Sequence, residues 1–134
     1  MTRPVILFAC IHNAGRSVAA RILTEHYSGG SVEARSAGSE PSGSVNPLIR
    51  EVLAERGLSA DQESPTLLDE LSVRRADVVI SMGCGESCPF VPGKRYEDWQ
   101  VEDPAGRDLE TARRVVDDID ARVRALLTSL TPTS

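Results

Sequence analysis

The chain has 134 residues, and a handful of them have types and spacing that suit chemistry. Cys10 opens the run Cys10-Ile11-His12-Asn13-Ala14-Gly15-Arg16-Ser17, in which five residues separate a thiol from an arginine and a serine follows. Backbone N–H groups of a tight loop can converge on a tetrahedral oxyanion. A helix that follows such a loop presents its positive amino end to the same anion. The planar fork of Arg16 grips two oxyanion oxygens. A field of this kind also favours thiolate over thiol, and the thiolate is the nucleophile. Ser17 is placed to donate a hydrogen bond to the sulfur, Asn13 to hold the loop's shape through its amide, and Gly15 to allow backbone angles closed to other residues. His12 reads as a further element of the loop's shape. The pattern also admits a blander reading, a small buried thiol at a strand end beside a surface arginine. Its place between an apolar strand and an amphipathic helix favours an oxyanion cradle over Ile11 to Ser17 with Cys10 as its nucleophile.

Two further features invite chemical readings. Asp103-Pro104 supplies a carboxyl late in the chain, suited to protonating an oxygen that departs from the attacked centre. By composition alone an ordinary Asp-Pro turn is the favoured reading. Cys84 and Cys88 are separated by three residues. An odd total of three cysteines argues against a permanent disulfide framework. Reactive thiols, half of a zinc site, or inert buried thiols remain as readings. Zinc would need two more ligands, with only Cys10, His12 and His26 on offer, so no metal site is expected.

These residues need elements to position them. Val5 to Ala9 reads as a buried strand, and a helix follows from Arg16 with Val18, Ile22, Leu23 and His26 on its stripe. Ser31 to Ser36 reads as a short strand, and Ala37 to Ser44 as a surface loop. Asn46-Pro47 starts a helix that Gly57 closes. Thr66 to Leu71 suggests a short helix capped near Ser64 or Thr66. Ala76 to Met82 is a second buried strand and Tyr96 to Trp99 a last short one. A long helix bears Leu109, Ala112, Val116, Ile119, Val123, Leu126, Leu127 and Leu130 on one face. Glu110, Arg113, Arg114, Asp117, Asp118 and Arg122 occupy its other, solvated face. Alternating strands and helices predict an α/β sandwich, a parallel sheet flanked by helices, with ligands at the carboxyl ends of its strands.

Length and composition narrow the classes. One domain over residues 1–134 is expected, with 40% apolar and 26% charged residues, ordinary values for a packed globule. A net charge of −5 argues against a nucleic-acid binder. The longest apolar run, Val5 to Ile11, is far too short to span a membrane, and no secretory signal is visible. A cytoplasmic protein, expected to be a monomer, follows.

The strand Val5 to Ala9, the run from Cys10 to Ser17 and Asp103-Pro104 ahead of the last helix together resemble the low-molecular-weight tyrosine phosphatase fold. The chain is more closely similar to the arsenate reductases built on that fold, from about residue 4 to about residue 128. Ser36-Ala37-Gly38 and the stretch from Trp99 to Gly106 share the pattern. The resemblance implies a four-stranded parallel sheet, Cys10 as nucleophile, Arg16 as oxyanion ligand and Asp103 as general acid. It separates reductase from phosphatase at two places. The phosphatases carry tyrosines just after the Asp-Pro pair, where Ala105 and Gly106 stand here. The reductases carry extra thiols after the third strand, where Cys84 and Cys88 stand. The resemblance then implies arsenate as substrate, with phosphate or sulfate as mimics, and a disulfide relay from Cys10 through Cys84 to Cys88. It implies no bound cofactor and an external thiol reductant. A thioredoxin-like protein is the first expectation for that partner, and mycothiol or glutathione with a glutaredoxin-like protein the second. The order of attack by Cys84 and Cys88 stays open, because their spacing is closer than in better-known reductases. Some members use a potassium ion held by an acidic side chain early in the first helix. Arg21 takes that position here, so no potassium requirement is expected.

Overall fold

The structure, a computed structural model, describes residues 3–13, 15–60, 65–82 and 91–130. Its centre is β1 (Val5–Cys10), apolar throughout because both of its faces are covered. Period-two alternation sends Ile6, Phe8 and Cys10 to one face and Leu7 and Ala9 to the other. The first face packs under α1 (Arg16–Ser28), α2 (Pro47–Glu55) and α4 (Leu109–Leu130). The second packs with Val73 of α3 (Glu70–Arg75), Leu68 and Ala76. Burying side chains the size of Ile6 and Phe8 contributes roughly 1.5–3 kcal/mol each. β2 (Glu33–Gly38) and β3 (Val78–Ser81) flank β1, and β4 (Arg95–Asp98) lies beyond β3. All pairings are parallel, in the order β2-β1-β3-β4.

That order makes the carboxyl end of β1 the point where successive connections leave to opposite sides of the sheet, which is where open α/β sheets bind ligands. Cys10 is the last residue of β1, in register with Gly38 of β2. It therefore ends on the face covered by α1, whose amino end opens directly after the loop.

Several elements depart from the sequence reading. β2 runs two residues past Ser36, so Ala37 and Gly38 belong to the sheet, and Ala37 is buried. The helix expected over Thr66 to Leu71 is replaced by a bridge between Leu67 and Gly38. The edge of β2 recruits this segment, through Gly38 N–H to the Thr66 carbonyl and Leu68 N–H to the Gly38 carbonyl, both 2.8 Å. The helix begins only at Glu70, where Asp69 caps it by accepting from the Ser72 N–H at 2.8 Å. His26 leaves the apolar stripe of α1. Glu25, His26 and Tyr27 are all exposed. The stripe of α4 is as expected and gains Val115. Asp120, unremarked in the sequence, is buried within α4. It accepts from Tyr27 Oη at 2.6 Å, Arg56 at 3.0 Å and Arg124 at 2.8 Å, joining three helices. The Asp120 hydrogen bond raises the Tyr27 phenol above its ordinary range. No helix among the described residues is long and apolar enough to cross a membrane.

Side-chain caps fix where helices start. Asn46 Oδ1 accepts from Leu48 N–H at 2.8 Å, and Asp108 Oδ1 from Thr111 N–H at 2.9 Å. Hydrogen bonds from Thr111 hold the Asp108 carboxyl below its ordinary range. A depressed carboxylate contributes stability above its unfolded-state value, about pH 4, and loses it as pH falls through the lower folded value. Asp108→Ala is therefore expected to lower the thermal midpoint at pH 7. Melts followed by circular dichroism should show the gap to the parent narrowing below about pH 4.

Candidate active site

The loop after β1 is built so that its carbonyls face outward. Ser39, Glu40 and Ser42 donate their N–H groups to the carbonyls of Cys10, Ile11 and His12 at 3.2, 2.7 and 3.0 Å. His12 adds a fourth tie: its Nδ1 lies 3.0 Å from the Glu40 carbonyl. A carbonyl only accepts, so the proton sits on Nδ1. The segment read as a surface loop is thus a strap along the outer side of the cradle. With these carbonyls engaged outside, loop N–H groups are free to face inward.

Asn13 makes that inward turn. Its φ of 49° is left-handed, a region asparagine tolerates better than most residues. The turn brings the Asn13 N–H back onto Cys10 Sγ at 3.2 Å. Ser17 Oγ lies 2.9 Å from the same sulfur and donates to Asn13 Oδ1, also at 2.9 Å. Cys10, Asn13 and Ser17 are all buried. Three residues placed by sequence around one loop therefore form one hydrogen-bonded cluster. Ala14, also expected in the cradle, lies outside the described residues.

The amino end of α1 differs from those of α2, α3 and α4. Gly15 stands at its cap position with no side-chain cap, and no acidic residue occupies its first turn. The other three helices are capped by Asn46, Asp69 and Asp108. The first-turn N–H groups and the positive end of the dipole thus remain for an anion.

Arg16 is drawn over the cleft from the far side. Its guanidinium donates to the Val101 carbonyl at 3.2 Å and lies 3.6 Å from Asp103 Oδ2, with its side chain only 11% exposed. Asp103 is half exposed, and its Oδ1 accepts from the Ala105 N–H at 3.0 Å. A small cleft of about 40 Å³ is lined by Cys10, His12, Gly15, Arg16, Asn46, Asp103 and Ala105. That exceeds the room one water needs and suits a compact anion. A larger cleft of about 420 Å³ opens at the other end of the sheet, by Pro4, Tyr27 and Val32, and its lining offers no nucleophilic sulfur.

Cys10, His12, Gly15, Arg16 and Asp103 thus meet at one cleft, with Asn13 and Ser17 against its sulfur. Cys84 and Cys88 lie outside the described residues. No group of three or more His, Cys, Asp or Glu side chains among the described residues is arranged to hold a metal. Arg21 is ion-paired with Glu25, one turn on, at 3.1 Å. The sequence reading missed Gly38, Asn46, the Val101 carbonyl and the strap as parts of the site. Gly38 belonged to the family pattern without a role assigned to it, the strap carried only a turn-like composition, and Asn46 declared itself as a helix cap. Nothing local marks Val101.

The sequence profile of the family described as "Low molecular weight phosphotyrosine protein phosphatase" matches residues 5–133. A thioredoxin-dependent arsenate reductase from Corynebacterium glutamicum superposes with a TM-score of 0.85 at 44% identity. The match covers 96% of this chain and 62% of that one, so this chain spans about three fifths of that protein's length. An arsenate reductase from Archaeoglobus fulgidus gives a TM-score of 0.80 at 38% identity, over 92% of this chain and 98% of its own. A glutaredoxin arsenate reductase from Synechocystis is 31% identical over 93% of this chain and 97% of its own.

Gly38 marks how closely β2 approaches the cradle. A Cβ there would lie 2.6 Å from the Ile11 carbonyl oxygen, 2.7 Å from the Asn13 nitrogen and 2.9 Å from the His12 carbonyl carbon. These are backbone atoms, which cannot swing aside. Gly38→Ala is expected to destabilise the protein by about 1–3 kcal/mol and to weaken sulfate binding. Denaturant titration and calorimetry with sulfate would measure the two effects.

Proposed function

The chain belongs to the low molecular weight phosphotyrosine protein phosphatase family, and within it we propose that it reduces arsenate to arsenite. The observation that carries this reading is the Cys10 sulfur held by the Asn13 N–H and Ser17 at the uncapped amino end of α1, with Arg16 over the cleft. The oxyanion would rest on loop and first-turn N–H groups and on the Arg16 fork, donors fixed before it arrives. Its competition for the guanidinium loosens the Arg16 pair with Asp103.

The chemistry then runs in three steps. Cys10 Sγ bonds to arsenic, and Asp103 delivers a proton to the departing oxygen, which leaves as water. A second thiolate, assigned to Cys84, bonds to Cys10 Sγ; the sulfur–arsenic bond breaks and its electron pair stays on arsenic, which departs as arsenite. Cys88 then attacks Cys84, freeing Cys10 and forming a Cys84–Cys88 disulfide, so that two thiols have supplied the two electrons. An external dithiol protein of the thioredoxin type returns that disulfide to thiols. The Corynebacterium relative, named for its thioredoxin dependence, supports this choice of partner. The name of the Synechocystis relative favours a second reading, in which a low-molecular-weight thiol and a glutaredoxin-like protein restore the enzyme. A phosphatase is the remaining alternative within the family. We further read the chain as one domain, acting as a monomer in the cytoplasm.

Mass spectrometry after arsenate treatment tests the relay. One arsenite released per Cys84–Cys88 disulfide is the expected outcome. Rapid hydrolysis of an aryl phosphate without arsenite release would identify a phosphatase instead. Cys10→Ser should abolish arsenite release, and Asp103→Ala should slow it by about 10²–10⁴-fold. Cys88→Ser distinguishes the reductants: it should stop turnover with thioredoxin, whereas survival of turnover with a thiol and glutaredoxin would favour the second partner.

A further inference from the structure

The hydroxyl of Ser17 has one proton and two neighbours able to take it, Cys10 Sγ and Asn13 Oδ1, each at 2.9 Å. Asn13 is fully buried, and its Nδ2 has no hydrogen-bond partner among the described residues. With Cys10 as a thiol, every proton in this chain has a place: S–H donates to Ser17 Oγ, and Ser17 donates to Asn13 Oδ1. With Cys10 as a thiolate, the sulfur needs the Ser17 proton. Ser17 Oγ and Asn13 Oδ1 would then be two acceptors facing each other at 2.9 Å with no hydrogen between them. A half-turn of the Asn13 amide removes that conflict. It exchanges two groups of nearly equal size and brings an Nδ2–H to Ser17 Oγ.

We propose that Asn13 is a positioning residue whose buried amide reverses when Cys10 ionises, turning from acceptor to donor toward Ser17. The inference rests on the reading of Cys10 as the nucleophile. One proton leaves Cys10 for solvent or for the bound oxyanion. The Ser17 proton stays on its oxygen and changes partner, and no other covalent bond changes. The thiolate then sits at the end of a chain, N–H to O–H to sulfur, in which each hydrogen bond polarises the next. The reversal makes Asn13 a part of the nucleophile's electrostatics as well as of the loop's shape. The titratable groups around the sulfur are His12 from the loop, Arg16 from α1 and Asp103 from the segment leading into α4. None of them hydrogen-bonds Asn13 or Ser17 among the described residues, so the reversal follows Cys10 itself.

Asn13 and Asn46 are the only asparagines in the chain, so ¹⁵N labelling of asparagine alone leaves two side-chain amide pairs to compare. The test follows both ¹⁵N-labelled amide pairs in the full chain against pH, alongside the rate of Cys10 alkylation by iodoacetamide read from its peptide mass. The Asn13 pair should shift in one step at the pH where Cys10 alkylation turns on, and by far more than the Asn46 pair, whose Oδ1 is held in place by the Leu48 N–H. In Cys10→Ser the Asn13 pair should hold still across the same range. In Ser17→Ala, Cys10 alkylation at pH 7 should slow about tenfold, the worth of one hydrogen bond to the anion, and the Asn13 pair should stop responding. An Asn13 pair that ignores the Cys10 transition, or that follows it equally in Ser17→Ala, would overturn the inference. Cys10 alkylation as slow as that of free cysteine would instead sink the nucleophile reading, and the amide pair would still report on the reversal at whatever pH the thiol ionises.

Discussion

Three N–H groups from outside the cradle, those of Ser39, Glu40 and Ser42, bond the carbonyls of Cys10, Ile11 and His12, and the rest of the site depends on that strap. A peptide group cannot turn its carbonyl outward in a buried loop unless something accepts the cost of removing it from water. Here the acceptors are satisfied on the outer side, so the inner side is free to be all donors. The left-handed turn at Asn13 completes the arrangement by folding one of those donors back onto the sulfur. A concave lining of donors is what an oxyanion and a thiolate both require, so the same atoms would suit either.

The strap in turn depends on the sheet. It leaves directly from the end of β2, and Gly38, the last residue of that strand, is in register with Cys10. The approach is so close that a methyl group in place of hydrogen would collide with the cradle's backbone. Sheet register and site geometry are therefore one constraint. A one-residue slip would send every side chain of β2 to the opposite face and take the strap with it. The bridge from Gly38 to Leu67 adds a partner on the outer side of β2 and restrains the strand further.

The remaining wall of the site comes from the opposite end of the chain. Trp99 packs against Phe8 of β1, with ring centroids 5.8 Å apart, and so anchors the segment that follows β4. From that segment the Val101 carbonyl holds Arg16, and Asp103 meets the same guanidinium. Pro104 is buried, and it would lie 3.8 Å from a Cβ on Gly15, so the acid-bearing turn is seated at the foot of α1. The cap at Asp108 then starts α4, which returns along the face that covers β1. Core packing and the position of the carboxyl are thus set by the same short stretch.

Elements whose cause is local could be read from the chain directly. The unbroken apolar run of β1, the stripe of α4 and the Asn46-Pro47 helix start are such cases, because periodicity and capping act between near neighbours. Cys10, Arg16 and Ser17 were equally visible, since a loop's chemistry and the helix dipole behind it are set within one turn. Asp103 needed a family pattern to stand out, because an Asp-Pro pair alone is an ordinary turn. The partners that complete the site were decided by tertiary structure. Gly38, the strap and Val101 reach the cradle through sheet register and through a strand-and-loop crossing that brings residues far apart in sequence within hydrogen-bond distance. The same holds for the misjudged helix at Thr66, where pairing with the edge of β2 outweighed local propensity. Residue type and spacing determine which atoms are able to donate, accept or attack, and only packing at a distance decides which of them face one another.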